Sequence, residues 1–385
     1  MTPGARIAAA IDLLDQIQAG QPAEQALTRW ARSSRFAGSG DRAAIRDYVY
    51  DALRHWRSDA CRGGGVSGRA RMIGRLRDQG DDIAALFDGV GHAPPPLSPE
   101  EMAAGHPPAT EGDVWDLPDW LVDAFKASLD PQAEPTAQAL TERAPVTLRV
   151  NTTKTDRATV QAQLKAEGVE TTNNPRADTA LSITQGPRRL RNAPSYLNGL
   201  VELQDGSSQA AMAGIDGTGT ALDFCAGGGG KSLALAVAGW RVTAHDIEAG
   251  RMRDLPNRAQ RGGHQIAICP PEEIGTAGLF DLVLCDAPCS GAGTWRRAPE
   301  AKWALTPDRL QTLMAMQVQV LDAAVAHVGQ GGRLIYATCS VLKEENEQQV
   351  DAFLSRHSGW RLAHVQTWPV DAWGDGFFVA HLGRG

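Results

Sequence analysis

Two cysteines and one aspartate stand where a sheet would deliver them together. The apolar run Phe280-Asp281-Leu282-Val283-Leu284-Cys285 predicts a short buried strand, and it ends in Asp286-Ala287-Pro288-Cys289-Ser290-Gly291. Further on, Gly332-Arg333-Leu334-Ile335-Tyr336-Ala337-Thr338 predicts another strand, with Cys339-Ser340 at its exit. In an open α/β sheet the carboxyl ends of the strands are the edge at which ligands bind. Two thiols and a carboxylate at neighbouring strand ends suit thiolate attack on an electron-poor ring carbon, followed by removal of a proton. They do not suit acyl transfer, because no histidine stands near either cysteine in sequence. Most buried cysteines are inert packing, and Cys225, Cys269 and Cys285 are read that way. Cys339 differs. It precedes Ser340 and the run Lys343-Glu344-Glu345-Asn346-Glu347, whose acids suit the first turn of a helix, and a thiol at a helix N-terminus has a lowered pKa.

A glycine-rich turn lies upstream. Asp223-Phe224-Cys225-Ala226-Gly227-Gly228-Gly229-Gly230-Lys231-Ser232 joins a predicted strand to a predicted helix, and glycines there let the backbone approach a ligand and present free N–H groups. The Gly-Lys-Ser tail resembles a phosphate-binding loop, but Cys225 stands where that loop needs its first glycine. Nucleotide hydrolysis is therefore disfavoured, and an adenosine cofactor without phosphates to cradle fits better. The next strand ends Ala244-His245-Asp246-Ile247-Glu248, placing an acid where ribose hydroxyls need an acceptor. A nicotinamide dinucleotide would use the same acid, yet the G-x-G-x-x-G spacing is met only loosely.

The elements that must hold these residues follow a strand–helix rhythm from about residue 201. Strands are expected at 220–225, 241–245, 265–269, 280–285 and 332–338, with 360–365 and 377–382 closing the sheet as a hairpin-like pair. This implies a mostly parallel, doubly wound sheet. Before it, Val146–Asn151 and Leu181–Ile183 read as strands and Thr159–Glu167 as a helix ending at Gly168, a small α+β module within 118–200. Residues 1–75 read as helices: Ile7, Ile11, Leu14 and Ile17 form one apolar stripe, and Ile45, Val49, Leu53 and Trp56 another. Arg42, Arg46, Arg54 and Arg57 interleave with that second face as phosphate contacts or, as charge alone favours, a solvated surface. Residues 76–117, with Pro94-Pro95-Pro96 and Pro107-Pro108, are expected to be a Pro- and acid-rich linker.

Composition limits the rest. The chain has 385 residues and a formal net charge of −7, which argues mildly against a nucleic-acid partner. The charge is uneven, about +5 over 1–75, about −11 over 76–134 and about +5 over 143–200, so the basic segments remain candidate RNA-facing surfaces. No apolar run reaches transmembrane length and the start lacks a secretory layout, so a cytoplasmic location is expected. The 6 cysteines make a poor disulfide framework, and no second ligand pair accompanies Cys285 and Cys289, so no metal is expected.

The segments around Asp223–Ser232, Asp286–Gly291 and Tyr336–Glu347, in this order, resemble the RNA cytosine-5 methyltransferases of the RsmB/Nop2/Sun type. The resemblance covers roughly 117–382, with 1–75 similar to the NusB-like helical domain of the bacterial rRNA members and 140–200 to their small RNA-recognition-like module. It implies a class I, Rossmann-like methyltransferase domain over 201–385 and S-adenosylmethionine as methyl donor. By family role Cys339 attacks C6 of a flipped cytosine, Cys289 assists release of the adduct, and Asp286 holds the ring near the cofactor. Cys225, Ala226, Gly227, Gly228, Gly229, Gly230 and Lys231 would wrap the methionine part, Asp246 the ribose, and Glu272 would face adenine. Arg296, Arg297 and Lys302 match a family stretch expected to touch RNA phosphate. Two departures stand out: Gly227-Gly228 replace the family's Ala-Pro, which should loosen the loop, and Glu272 replaces an aspartate. The implied partner is RNA, ribosomal first and transfer RNA second, with a monomer and no membrane expected; a non-catalytic assembly factor is the competing reading.

Overall fold

The computed structural model describes all of residues 1–385. Its contacts define two units, one formed by 1–143 with 295–304 and the other by 144–294 with 305–385.

The first unit is helical. Its opening helices are α1 (Pro3–Gln18), α2 (Ala23–Ser33), α3 (Ser39–Arg54), α4 (Trp56–Gly63) and α5 (Gly68–Gln79). Thr2 starts α1 by accepting from Ala5 N, with Pro3 at the first helical position. The Ile7, Ile11, Leu14 and Ile17 stripe is buried as its spacing predicts, against Ile45, Val49 and Leu53 of α3. Trp56 packs against the same core, but from the first residue of α4 rather than from α3, which ends at Arg54. The segment 76–117 is not the loose linker that its prolines suggest. It carries three short helices, and Phe87 joins the α1–α5 core. Arg69 pairs with Glu101 at 2.6 Å, and Arg77 donates to the carbonyls of Arg62, Glu101 and Ala104. Prolines ended the periodic signal, while arginine-to-carbonyl bonds, which leave no periodicity, hold the segment down.

The second unit holds two sheets. The smaller contains β1 (Thr147–Val150), β2 (Glu170–Asn173), β3 (Ala180–Gln185) and β4 (Val201–Leu203) in the order β2-β3-β1-β4, all antiparallel. Because β4 pairs with β1, this module extends past the expected boundary at residue 200. The larger sheet contains β5 (Thr220–Asp223), β6 (Arg241–His245), β7 (Ile266–Cys269), β8 (Phe280–Asp286), β9 (Val328–Thr338), β10 (Trp360–Trp368) and β11 (Phe377–Arg384). Its order is β10-β11-β9-β8-β5-β6-β7. Strands β5 to β9 run parallel, and β10 and β11 close the β9 side antiparallel. Central β8 reads as a nearly continuous apolar run because both of its faces are covered. Order reverses between β5 and β8, and the carboxyl ends at that switch point carry the residues singled out above.

Candidate active site

Register brings the two thiols together. Asp286, the last residue of β8, lies opposite Ala337 of β9, and both chains then turn away from the sheet edge. Cys289 follows three residues after Asp286 and Cys339 two after Ala337, so that Cys289 Sγ lies 3.5 Å from Cys339 Sγ. Backbone bonds hold the turns side by side: Ala287 N donates to Ala337 O, and Gly293 N to Cys339 O, each at 2.9 Å. Both thiols are partly exposed and reduced, whereas Cys285 is fully buried.

The pair shares its protons unequally. The Cys339 thiol is lowered, first by the hydrogen bond from Cys289 and then by Lys231 and Thr294, against burial and the Asp286 charge. The Cys289 thiol is pushed well up by that same bond, by burial and by the carboxylate of Glu345. The lowered Cys339 thiol and the raised Cys289 thiol favour the negative charge on Cys339 and the proton on Cys289. No helix N-terminus produces this, contrary to the expectation from sequence. The helix opens only at Glu347 (Glu347–Arg356), eight residues after Cys339. The intervening 340–346 stretch folds back on its own hydrogen bonds: Asn346 donates to Ser340 O and Ser340 N to Thr338 Oγ1.

Glu345, read from sequence as a first-turn acid, is instead fully buried behind the thiols. Its carboxylate accepts from Ser290 N at 2.8 Å, from Ser290 Oγ and from Gln317 Nε2 at 3.0 Å, while Tyr336 donates its hydroxyl to the Glu345 carbonyl at 2.6 Å. Gln317 also donates to Pro288 O, so both turns are fastened to one buried carboxylate. Nothing in the sequence separates Glu345 from Glu344 and Glu347.

Beside the thiols, Lys231 Nζ donates to Asp286 at 2.6 Å. Burial works against the Lys231 charge, but the Asp286 carboxylate outweighs it and raises the ammonium pKa. The lysine is therefore neutralised within the protein and is not extended toward a phosphate, the behaviour that separates this turn from a phosphate-binding loop. Gly227 and Gly229 take φ of +52° and +80°, conformations that only glycine adopts freely, which leads β5 into the helix Gly230–Val237. The loosening expected from Gly227-Gly228 is countered by direct bonds. Gly227 N donates to Asp246, Ala226 N to His245 O, Arg258 to Gly228 O, and Arg149 of β1 to Gly230 O at 3.0 Å. Arg149 is buried and its guanidinium lowered to about 10 by that burial; nothing in the sequence marked it. Below the turn Asp223 accepts from Ser232 Oγ at 2.6 Å while its second oxygen is buried with no partner, and burial pushes its carboxyl up to about 7.

Asp246, at the β6 exit, is buried, accepts from Gly227 and Glu248 N–H groups, and pairs with Arg251 at 3.2 Å. Glu272 follows β7 in the turn Pro271–Thr276 and is exposed. Cys225 has its thiol pushed up by burial and by neighbouring carboxylates, which agrees with an inert reading of its sulfur. The glycine cradle and the carboxylates fit a cationic sulfonium nucleoside better than a phosphorylated one.

The expected phosphate contacts divide. Arg297 is exposed, but Arg296 and Lys302 are each 1% exposed and belong to the helical unit. Arg54 donates to the Arg296 carbonyl at 2.8 Å, Trp295 stacks on Phe125, and Lys302 lies over the Trp303 ring with its ammonium lowered to about 8 by burial. A buried cation inside a helical core cannot meet RNA phosphate. Of the four α3–α4 arginines, Arg54 is buried, Arg57 is bonded to Asp113 and Asp119, Arg46 pairs with Glu24, and Arg42 is exposed.

Comparison with known proteins gives the same outline. Residues 214–383 match the family model described as 16S rRNA methyltransferase RsmB/F, and residues 117–188 match the RsmF/B-like ferredoxin-like domain. Ribosomal RNA small subunit methyltransferase B of Erwinia tasmaniensis is 34% identical over 284 residues, covering 69% of this chain and 66% of that protein. The protein of the same name from Vibrio cholerae is 33% identical over 283 residues, 69% of this chain and 65% of that one. The matched stretch thus spans slightly less than two thirds of these relatives' own length. The crystal structure of PH0851 has the same fold, with a TM-score of 0.77 at 24% identity over 100% of this chain and 99% of that one. No helix is long and apolar enough to cross a membrane.

Proposed function

Because the chain belongs to the RsmB/F (RsmB/Nop2/Sun) methyltransferase family, we propose that it transfers a methyl group from S-adenosylmethionine to C5 of a cytosine in small-subunit ribosomal RNA, in the cytoplasm. The observation that carries this reading is the thiol pair, 3.5 Å apart with the Cys339 pKa lowered and the Cys289 pKa raised, beside the Asp286–Lys231 ion pair. When bound, the donor would supply an electrophilic methyl group; residues 225–231 and Asp246 would hold it, and Glu272 would serve the adenine end. The Cys339 thiolate forms a bond to C6 of a cytosine turned out of its stack, and the displaced electron pair makes C5 the nucleophile. Asp286 holds the cytosine ring. After transfer the C5 proton passes to solvent water, its bonding pair re-forms the C5–C6 double bond, and the C6–S bond breaks with its electrons on Cys339, which departs as thiolate. Cys289, whose sulfur lies 3.5 Å from that of Cys339, stabilises the departing thiolate by donating its S–H. Arg297 is the remaining phosphate contact of its stretch.

The test is methyl transfer from labelled S-adenosylmethionine to 16S rRNA from cells lacking the protein, for wild type, Cys339→Ala and Cys289→Ala. Label in 5-methylcytidine, lost in Cys339→Ala and replaced by a stalled protein–RNA adduct in Cys289→Ala, is expected. RNA that is bound but never labelled would favour an assembly factor, and label only on transfer RNA would move the substrate.

A further inference from the structure

We propose a second RNA-binding site in the helical unit, a groove between α2 and the start of α3 that takes a single-stranded segment of the RNA substrate by its phosphates and one unstacked base. The proposal rests on the RNA-methyltransferase reading for the identity of the ligand. The groove has a volume of about 600 Å³, and its lining includes Trp30, Arg32, Arg35, Arg42 and Arg46 and no acidic side chain.

Three of those arginines have no internal partner for their charge. Arg46 is paired with Glu24, but Arg32, Arg35 and Arg42 are exposed and form no salt bridge, Arg42 donating only to the Ala37 carbonyl at 3.1 Å. Several other arginines of this unit pair with acids: Arg6 with Asp41, Arg57 with Asp113, Arg62 with Asp78, Arg69 with Glu101, Arg75 with Asp78. Placing like charges around one concavity is mildly unfavourable in water and does nothing for folding here. A polyanion repays it, since each phosphate neutralised releases condensed counterions.

An aromatic residue decides which polyanion fits. Phe36 follows Arg35 in the α2–α3 turn, outside the groove lining itself, and is 76% exposed. An exposed phenyl next to unpaired guanidinium groups is the composition of a single-strand platform, on which a base stacks while the arginines follow the backbone. An acidic protein surface has no use for the ring, and a buried duplex base cannot reach it. The sequence alone favoured solvated arginines at Arg42 and Arg46, because Arg32 at the end of α2 and Arg35 in the turn after it join them only in the fold.

The test uses the full chain and a fluorescein-labelled 12-nucleotide single-stranded RNA of mixed sequence, titrated at several KCl concentrations. Arg32→Ala/Arg35→Ala/Arg42→Ala should weaken binding at least tenfold and reduce the log–log salt slope by about 2, three phosphates at about 0.7 each. Phe36→Ala should weaken it about fivefold or more without changing the slope. Arg35→Glu, a single exposed turn residue, guards against misfolding of the triple variant and should also weaken binding. In methyl transfer the triple variant should raise KM for the RNA and leave kcat unchanged. Wild-type affinity and slope in a folded triple variant would overturn the groove. So would equal displacement of the RNA by poly-glutamate together with no effect of Phe36→Ala. If the wild type methylates no RNA while binding still follows the arginines, the methyltransferase reading fails and the groove stands.

Discussion

Cys289 Sγ lies 3.5 Å from Cys339 Sγ, and the hydrogen bond between them lowers the Cys339 pKa and raises that of Cys289. The pair lies between opposed influences, with Lys231 drawing the Cys339 pKa down and Asp286 pushing it up. Iodoacetamide near neutral pH should therefore label Cys339 well ahead of Cys289. In Cys289→Ala the thiolate loses its donor, and the midpoint of the alkylation-versus-pH curve should rise by about one unit or more. A midpoint that falls would assign the proton to the wrong sulfur.

The charges beside the thiols make a signed test. Lys231→Met should raise the Cys339 alkylation midpoint, because the cation is lost and Asp286 is left unopposed. Asp286→Asn should lower it. Shifts of the same sign in both variants would contradict the arrangement. Peptide mass spectrometry across pH 5 to about 10 reads both.

Glu345 is expected to position the thiols and to contribute stability. Glu345→Ala leaves the N–H and hydroxyl of Ser290 and the amide of Gln317 short of their acceptor, so urea unfolding should show a loss of about 2–4 kcal/mol. Glu345→Gln keeps the volume and one acceptor and should cost less. The selectivity of alkylation for Cys339 over Cys289 should narrow in both, which a purely structural carboxylate would not cause.

Asp223 makes stability depend on pH. Its carboxyl is raised from 3.8 to about 7 in the folded protein, so between these values the folded state holds a proton that the unfolded chain releases. That contribution is fully present below the unfolded value and is lost as pH rises through the folded one, at up to about 1.4 kcal/mol per pH unit. Asp223→Asn imitates the protonated form, so its stability relative to wild type should grow from pH 5 to pH 8 by urea titration. A constant difference would show that Asp223 is ionised throughout.

Lys302 has the opposite slope. Its ammonium falls from 10.5 to about 8 because it is buried, so its cost is relieved only as pH rises toward the unfolded value. Lys302→Met should be neutral or stabilising at pH 7 and leave RNA affinity unchanged, whereas Arg297→Ala, at an exposed position, should weaken RNA binding. A loss of RNA affinity in a folded Lys302→Met would restore the surface role expected from sequence.

The sequence by itself determined the sheet, its strand-end chemistry and the family. The apolar run 280–285 and the glycine turn 226–230 impose their local conformations wherever they stand, and a strand followed by Asp-Ala-Pro-Cys-Ser-Gly must present those residues at one edge. Tertiary structure decided what those residues do to one another. The raised thiol of Cys289, the lowered thiol of Cys339 and the burial of Glu345 come from contacts across about fifty residues of chain, which no local pattern records. The same reason moved Arg296 and Lys302 indoors and gathered Arg32, Arg35 and Arg42 at one groove. An arginine looks the same in sequence whether it meets a carbonyl, a carboxylate or water. Only the packing of distant elements around it sets its partner, and with that the free energy of its charge.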